Sequence, residues 1–308
     1  MMARAKRRVR VLVNPKSGTG SSLGSITKAV EDTWAAQGID VSYQISRSVE
    51  DGRAKVRQAI DDGIETMLVA GGDGMINSIG SALIGTDIAL GVIPVGSGNG
   101  FARHFGIPLH VAKSVETLLA AKRMEIDVGI AGNHPFFVTC GMAADAELVR
   151  HFNKSPVRGI IPYVFAAAYE MMEYVPRSFR VVLDGKEEIA FKDVLVFTVA
   201  NLTQFGGGAM IAPQACPDDG RLEMVVVLKQ DVAGLLAGLP RLFNGTIEQL
   251  PGVVTKRFQR MEVERSRDGA IQVDGELVEA GKSLTVRVRR KALSVLVPES
   301  PVRENGSK

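Results

Sequence analysis

An apolar run that breaks abruptly into a glycine loop lies at Met67-Leu68-Val69-Ala70-Gly71-Gly72-Asp73-Gly74. Its four apolar residues are typical of a short buried strand, and the Gly-Gly-Asp-Gly that follows indicates a tight turn. The next residues, 75–83, have apolar side chains at helical spacing. A strand that passes through a glycine loop into a helix is the repeating unit of a parallel α/β sheet.

The same order of strand, loop and helix is found on both sides of this stretch. Residues 9–13 predict a strand that enters the loop Asn14-Pro15-Lys16-Ser17-Gly18-Thr19-Gly20, and residues 88–94 predict one that enters Gly96-Ser97-Gly98-Asn99-Gly100. Because the carboxyl ends of parallel strands meet at one edge of a sheet, we expect the three loops to converge there. Residues 1–127 are therefore predicted to form an α/β domain. Further predictions here are a strand at 39–45 and helices at 25–37 and 51–62.

Residues 128–291 change to a pattern that strands dominate. Asp184-Gly185 separates two short apolar stretches and is a strong hairpin signal. We therefore predict a second, mainly antiparallel β domain with helical insertions, followed by a tail at 299–308. The predicted strands are 179–183, 188–191, 194–200, 222–228, 261–264, 271–273 and 284–288, and the predicted helices are 160–174 and 231–243.

The charge balance does not indicate a nucleic-acid-binding protein. The chain has 37 basic and 34 acidic residues, and five of the basic ones lie in the first ten positions. This basic start is interpreted either as a solvated tail or as a contact for anionic lipid. Two isolated cysteines form neither a disulfide framework nor a thiolate metal cluster, which fits a reducing cytoplasm. No stretch of 18 apolar residues exists, so we expect a cytoplasmic protein that is at most peripherally associated with a membrane.

Three glycine loops at one sheet edge indicate a phosphate site. Without side chains the backbone can approach a phosphate closely, and its N–H groups then surround the charge. Lys16 would add a positive charge, and Ser17 and Ser97 would add hydroxyl donors. The P-loop motif and the Gly-x-Gly-x-x-Gly dinucleotide fingerprint are both absent from the sequence, so neither of those nucleotide sites is predicted.

Two carboxylates are candidates for chemistry at such a site. Asp73 lies between glycines, where a carboxylate can hold Mg²⁺ or a nucleotide hydroxyl, and the alternative is a plain turn aspartate. Phosphoryl transfer also needs a base for the acceptor hydroxyl. Glu276 directly follows Val273-Asp274-Gly275 and is the candidate base, with an acid in a hairpin turn as the alternative interpretation.

The order and spacing of these motifs resemble the diacylglycerol kinase catalytic-domain family, which includes bacterial soluble lipid kinases and the sphingosine and ceramide kinases. The resemblance runs from Arg8 to Val297, nearly the whole chain. Gly-Gly-Asp-Gly alone is shared with NAD kinases and phosphofructokinases, so only the complete set of motifs is specific for this family. The matching elements are Asn14 to Gly18, Gly71 to Gly74, Gly96 to Asn99 with Phe101-Ala102-Arg103, Ile126 to Gly129, Gly206 to Gly208 through Pro213, Asp218 to Gly220, and Val273 to Glu276.

The resemblance implies an ATP-dependent kinase that phosphorylates the hydroxyl of a lipid alcohol with Mg²⁺. The implied acceptor is diacylglycerol-like, or a sphingoid base or ceramide. The implied fold has an N-terminal α/β domain like that of NAD kinases and phosphofructokinases, and a C-terminal β-sandwich, with residues 292–298 rejoining the first domain. The residues expected to contact ATP are Asn14, Pro15, Lys16, Ser17, Gly18, Ser48, Gly71, Gly72, Asp73, Gly74, Met75, Asn77 and Ser97.

The resemblance also implies catalytic roles and partners. Glu276 would be the general base, Asp73 would lie near the nucleotide and its Mg²⁺, and Asp127 would lie near the acceptor head group. The expected partners are the lipid alcohol and a membrane surface that the protein contacts peripherally, and a homodimer stays open. The implied ligands of a structural divalent cation in the second domain are the Asp219 side chain and the backbone carbonyls of Cys216 and Arg221.

Two positions depart from the family pattern. Met75 stands where Thr is usual, and Gly100 stands where many members have Asp. The alternative functions are an NAD- or sugar-type kinase of the same superfamily and a catalytically weak, nucleotide-binding regulatory protein. The helices predicted at 160–174 and 231–243 are interpreted either as core-facing or as an apolar wall for acyl chains.

Overall fold

The computed structural model describes residues 7–15, 23–152 and 174–299. The chain divides into two compact units, one of residues 1–126 with 291–308 and one of residues 127–290.

The first unit alternates strands and helices around a parallel sheet. Its elements are β1 (Arg8–Val13), α1 (Leu23–Thr33), a 3₁₀ turn (Ala35–Gln37), β2 (Asp40–Ile45), α2 (Val49–Asp61), β3 (Thr66–Gly71), α3 (Asp73–Leu83), β4 (Ala89–Pro94), α4 (Gly100–His104), α5 (Val111–Leu119), the start of β5 (Lys122–Ala131) and the end of β17 (Ser283–Val297). The strand order is β2-β1-β3-β4-β17, and each of these neighbouring pairs is parallel.

Burial explains why the central strands of this sheet are so apolar. Every residue of β3 and β4 is buried, as expected for strands that are covered on both faces. Trp34, the only tryptophan of the chain, is fully buried and donates its indole N–H to the Val115 carbonyl at 3.0 Å. That bond ties the end of the first helical segment to α5.

The second unit is built mainly from strands. Its elements are the end of β5, β6 (His134–Phe136), β7 (Thr139–Gly141), α6 (Ala144–Phe152), β8 (Arg177–Leu183), β9 (Glu187–Ala200), β10 (Gln204–Gly206), β11 (Ala209–Met210), β12 (Leu222–Leu228), α7 (Val232–Asn244), a 3₁₀ turn (Ile247–Gln249), β13 (Val253–Phe258), β14 (Arg260–Arg265), β15 (Gly269–Val273), β16 (Glu276–Ala280) and the start of β17. The pairings of β7, β8, β9, β12, β14, β15 and β16 with their neighbours within this unit are antiparallel.

Strand β9 changes partners along its length. From Glu187 to Val194 it pairs with β8, and from Val194 to Ala200 it pairs with β12, with β7 on its other side near the end. Side chains from these strands, β14, β15 and β17 fill one apolar core. Its members include Phe179, Phe197, Met224, Met261, Ile271 and Val286.

Two predictions in this unit need comment. The strands predicted at 188–191 and 194–200 are a single strand, β9, so the predicted break was wrong. Asp193 has φ 53°, which turns the backbone locally without ending the strand. The helix predicted at 160–174 lies, except for its last residue, outside the described residues.

Candidate active site

The two glycine loops that follow β3 and β4 touch each other through their backbones. A Cβ on Gly96 would lie 2.5 Å from the Cα of Gly72, and a Cβ on Gly72 would lie 3.2 Å from the Cα of Gly96. A side chain at position 96 would therefore force the loops apart. Backbone meets backbone where the two loops touch, and glycine loops of this kind can bring N–H groups close to a phosphate.

Asp73 joins the same two loops by hydrogen bonds. It is the first residue of α3, and its carboxylate accepts the backbone N–H groups of Gly100 at 3.1 Å and Phe101 at 3.2 Å. Burial raises the pKa of the Asp73 carboxyl, and the hydrogen bonds from Gly100 and Phe101 oppose that increase. Each carboxylate oxygen has a further lone pair, so the side chain can serve a cation while it holds α4.

Asn99 closes the third loop, and the sequence analysis did not include it among the site residues. Its φ is 51°, and its side chain accepts the N–H of Gly96 at 3.0 Å and donates to the Gly96 carbonyl at 2.8 Å. These two bonds leave Ser97 at the exposed tip of the loop. The signal in the sequence was an asparagine between glycines, since asparagine tolerates the left-handed conformation well.

The first loop is described only at its start. Asn14 follows β1, and its N–H donates to the Ala70 carbonyl at 3.4 Å, so it lies beside the end of β3. Pro15 is exposed next to it. The predicted nucleotide contacts Lys16, Ser17 and Gly18 lie outside the described residues.

The other predicted nucleotide contacts have local roles. The Ser48 hydroxyl caps α2 by accepting the Asp51 N–H at 3.2 Å. A Cβ on Gly71 would lie 2.7 Å from the sulfur of Met75, so the thioether lies directly over Gly71. Asn77 is partly buried on α3, the helix that Asp73 begins. The predicted loop residues 71–77 thus lie at the end of β3 and on α3.

In the second unit, the turn before Glu276 is fixed by a buried carboxylate. Asp274 and Gly275 have φ values of 48° and 86°, a two-residue hairpin turn between β15 and β16. The Asp274 carboxylate accepts three consecutive backbone N–H groups, those of residues 137, 138 and 139, at 2.7, 2.8 and 3.0 Å. Glu276 follows as the first residue of β16, and it is exposed. The candidate base therefore stands in solvent on a rigid turn.

Asp127 holds a different loop of the second unit. It is fully buried, its carboxylate accepts the Gly220 N–H at 2.5 Å, and its own N–H donates to the Pro217 carbonyl at 2.6 Å. The amide of Asn201 donates to the carbonyls of Asp127 and Phe137, both at 3.0 Å. Asn201 thereby links the Asp127 backbone to the segment that anchors Asp274.

The predicted ligands of a structural cation lie in one turn, but their carboxylate is already engaged. One Asp219 oxygen accepts the Arg221 N–H at 2.9 Å, and the other contacts the guanidinium of Arg257. The Cys216 thiol donates to the Asp218 carboxylate at 3.1 Å. A divalent ion at Asp219 would meet the Arg257 charge directly, so these residues do not fit that ion as they stand.

Asp145, at the start of α6, was also missed. It accepts the Ala143 N–H at 2.7 Å, the Ala146 N–H at 3.2 Å and the Thr198 hydroxyl at 2.7 Å. Burial raises the pKa of Asp145 to about 6, although those hydrogen bonds act in the opposite direction. Nothing in the local sequence distinguishes this aspartate from an ordinary helix-start acid.

Two family models match the chain, one in each half. The diacylglycerol kinase catalytic domain matches residues 8–131, and the YegS C-terminal NAD kinase beta sandwich-like domain matches residues 137–297. Together they define a two-domain kinase with a parallel α/β half and a β-sandwich half, which confirms the predicted fold class. The chain belongs to the diacylglycerol kinase family of lipid kinases.

Named relatives agree with this assignment. The chain is 32% identical over 264 residues to a "Diacylglycerol kinase" of Mycobacterium tuberculosis, covering 83% of this chain and 85% of the relative. It is 25% identical over 297 residues to a Klebsiella pneumoniae protein named "Probable lipid kinase YegS-like", covering 94% and 95%. A solved diacylglycerol kinase structure from Bacillus anthracis superposes with a TM-score of 0.76 at 17% identity, covering 97% of this chain and 100% of that one. That last similarity concerns the fold alone.

Among the described residues, no helix is both long enough and apolar enough to cross a membrane.

Proposed function

We propose that this lipid kinase transfers the γ-phosphoryl group of ATP to the hydroxyl of a diacylglycerol-like lipid alcohol. The observation that supports it most is the backbone contact between Gly72 and Gly96. The contact lies at the carboxyl edge of the sheet, where open α/β sheets bind their ligands. A sphingoid base or ceramide is the alternative acceptor within the same reaction.

The donor set around this edge fits a nucleotide phosphate. The two touching glycine loops bring backbone to this edge, and Ser97 adds an exposed hydroxyl at the tip of the third loop. Asp73 would hold Mg²⁺ with its remaining lone pairs, and that ion would neutralise charge on the phosphates. Met75 covers Gly71 with a thioether where a hydroxyl is usual, so we expect ATP to rely more on backbone donors than on this side chain.

Proton transfer is assigned to Glu276. In the proposed reaction the acceptor oxygen bonds to the γ-phosphorus, the bond from that phosphorus to the bridging oxygen of ADP breaks, and Glu276 accepts the hydroxyl proton. An exposed carboxylate on a fixed turn suits this role, because an acceptor hydroxyl can reach it from solvent. We propose that Asp127 positions loop 217–220 on the acceptor side through its hydrogen bonds with that loop.

The test is phosphate transfer from γ-labelled ATP to a total lipid extract, followed by identification of the labelled product. The same assay is then run with pure diacylglycerol, monoacylglycerol, sphingosine and ceramide in Mg²⁺ and in EDTA. We expect a phosphorylated diacylglycerol-like lipid and no transfer in EDTA. Labelling of NAD or a sugar instead of any lipid would replace the proposed acceptor, and ATP binding without transfer would favour the regulatory alternative.

The Glu276→Gln variant tests the proposed base while leaving the fold unchanged. We expect at least about a 100-fold loss of transfer with unchanged ATP affinity, since the general base is lost and the glycine loops are untouched. The matched control is Glu279→Gln, an exposed glutamate of the same strand, β16, which should retain wild-type transfer. Asp73→Asn should reduce both ATP affinity and transfer. Wild-type transfer in Glu276→Gln or in Asp73→Asn would refute the corresponding role.

A lipid acceptor also implies work at a membrane surface. We propose peripheral contact, tested by co-sedimentation of the full chain with vesicles that do or do not contain the acceptor. A homodimer is a separate hypothesis, tested by light scattering across a range of protein concentrations.

A further inference from the structure

Two arginines of the second unit point toward its apolar core. Arg265 ends β14 and lies opposite Phe179 in the ladder with β8, and Arg177 precedes Phe179 by two residues on the same strand face. Arg177 is only 7% exposed and Arg265 only 4%. A guanidinium is rarely buried to this extent without a charged partner.

Arg265 has hydrogen bonds but no counter-ion within the described ranges. Its Nη2 donates to the carbonyls of Gly269 at 3.0 Å, Ala280 at 2.6 Å and Gly281 at 2.6 Å, and its buried Nη1 has no hydrogen-bond partner among the residues that the structure describes. In the described part of the chain no carboxylate lies within ion-pair distance of this guanidinium. Carbonyl dipoles orient the side chain, but they leave its unit charge uncompensated.

Arg177 lies close to the same point. Its Nη1 is 3.7 Å from where a Cβ on Gly269 would stand, and Gly269 is the residue whose carbonyl binds Arg265. Nη2 of Arg177 pairs with Glu147 at 2.9 Å, while its buried Nε has no hydrogen-bond partner in the described part of the chain. The guanidinium lies over the ring of Tyr174, 5.7 Å from the centroid, and the buried Tyr174 hydroxyl likewise has no partner among residues 7–15, 23–152 and 174–299.

The electrostatics of the pair agree with a missing anion. Burial lowers the pKa of Arg265, and the charge of Arg177 lowers it further. Asp268 and Glu279 act in the opposite direction without reversing the effect on that pKa. Glu147 compensates one of two buried positive charges, and the second has no ion-pair partner among the described residues.

We propose that Arg177, Arg265 and Tyr174 form a binding site for an oxyanion of the phosphate class, separate from the glycine loops. Two guanidiniums and a phenol together supply several N–H and O–H donors, which suits the several oxygens of a phosphate. The phosphate can belong to the headgroup of an anionic phospholipid or to a free phosphate in solution. The site does not depend on the proposed kinase reaction, since loss of transfer in Glu276→Gln would leave it intact.

The test begins with Tyr174→Phe, which removes one hydroxyl without a hydrogen-bond partner among the described residues and should leave the melting temperature unchanged. Inorganic phosphate is titrated calorimetrically into the full wild-type chain, into Tyr174→Phe and into the control Tyr43→Phe, which changes an exposed tyrosine of the first unit. We expect Tyr174→Phe to weaken phosphate binding about fivefold and Tyr43→Phe to leave it unchanged. Any phosphate bound at the glycine loops is common to all three proteins and cancels in the comparison.

A second variant removes the paired charges together. Arg177→Met with Glu147→Gln keeps the net charge, and we expect at least about a tenfold loss of phosphate affinity. In parallel, flotation with phosphatidylcholine vesicles, with or without phosphatidylglycerol, tests the headgroup source. If the variants lose binding only to vesicles that contain phosphatidylglycerol, the ligand is a lipid headgroup. If they lose binding of inorganic phosphate, the ligand is a free phosphate. If Tyr174→Phe changes neither measurement, the site is refuted, whether or not the double variant folds.

Discussion

At the glycine loops of the first unit, the backbones of Gly72 and Gly96 meet because neither residue carries a side chain. The second unit places its candidate residues differently: the buried carboxylates of Asp127 and Asp274 accept backbone N–H groups from segments that are distant in the sequence. Adding a methyl group at Gly96 would disrupt the contact between the loops, whereas removing a buried carboxylate would disrupt the anchors of the second unit. A fixed backbone is thus obtained by steric contact in one unit and by buried carboxylates in the other.

The largest effect is expected for Asp274→Ala. Three buried N–H groups lose their acceptor, so the free energy of unfolding should fall by about 3–4 kcal/mol, as measured by urea unfolding with far-UV circular dichroism. The matched control is Asp184→Ala, since Asp184 also begins an Asp-Gly turn with positive φ and accepts two N–H groups at 2.9 Å, but is exposed. We expect about 1 kcal/mol there. Equal losses at both turns would show that burial is not what distinguishes Asp274.

Gly96→Ala tests the steric arrangement. The new Cβ would lie 2.5 Å from the Gly72 backbone, so the loops must separate, at a cost of about 2 kcal/mol and with reduced ATP affinity. Fluorescence of buried Trp34 reports unfolding of this unit, and calorimetry reports ATP. Gly281→Ala is the control, because no atom lies within 4 Å of where its Cβ would stand. Unchanged ATP binding in Gly96→Ala would contradict the assignment of this contact to the nucleotide site.

Asp145 gives the second unit a pH dependence. Its pKa is about 6 in the folded chain against an ordinary 3.8, so the folded state binds the proton more tightly than the unfolded state does. The stability from this group is present below about pH 4 and is lost as the pH rises through about 6, by about 2–3 kcal/mol in total.

Asp145→Asn isolates that contribution. The amide oxygen can accept the two N–H groups of Ala143 and Ala146, and the NH₂ group can donate to the Thr198 hydroxyl. We expect this contribution to the decline between pH 4 and 6 to disappear in urea unfolding series. The same decline in both proteins would assign it to other groups.

The smallest effect is expected at Asn99. Asn99→Gly keeps the left-handed conformation but loses both side-chain bonds to Gly96, so it should cost about 1 kcal/mol, and Asn99→Ala should cost more because it also strains φ. Urea unfolding followed by Trp34 fluorescence compares the two. A glycine variant as stable as the wild type would show that the loop holds its shape without the side chain.

The sequence was informative wherever a feature is local. Strands β1, β3 and β4 and their glycine loops could be predicted because a short apolar run and the turn that follows it are adjacent in the chain. The continuity of β9 was not predictable, because Asp193 resembles a strand end and only pairing with β8 and β12 carries the strand past it.

The polar anchors could not be predicted for a related reason. Asp274 accepts N–H groups of residues 137–139, and Asp127 accepts that of Gly220, so each bond joins segments that are distant in sequence. An Asp-Gly dipeptide predicts the turn at 274–275 but not the buried donors beneath it. The same holds for Arg265, which the alternating pattern of β14 places at an inward position where an apolar residue is usual.

Strand β17 has a consequence for how the chain is made. Its last residues lie in the first unit, where Val295 pairs in parallel with Leu90 of β4. During synthesis the ribosome releases β4 long before β17, so the nascent first unit exposes an unpaired strand edge until β17 has been translated. A chain stalled or cut before residue 292 would therefore be a substrate for chaperones or aggregation, although every glycine loop of its first unit had already been translated.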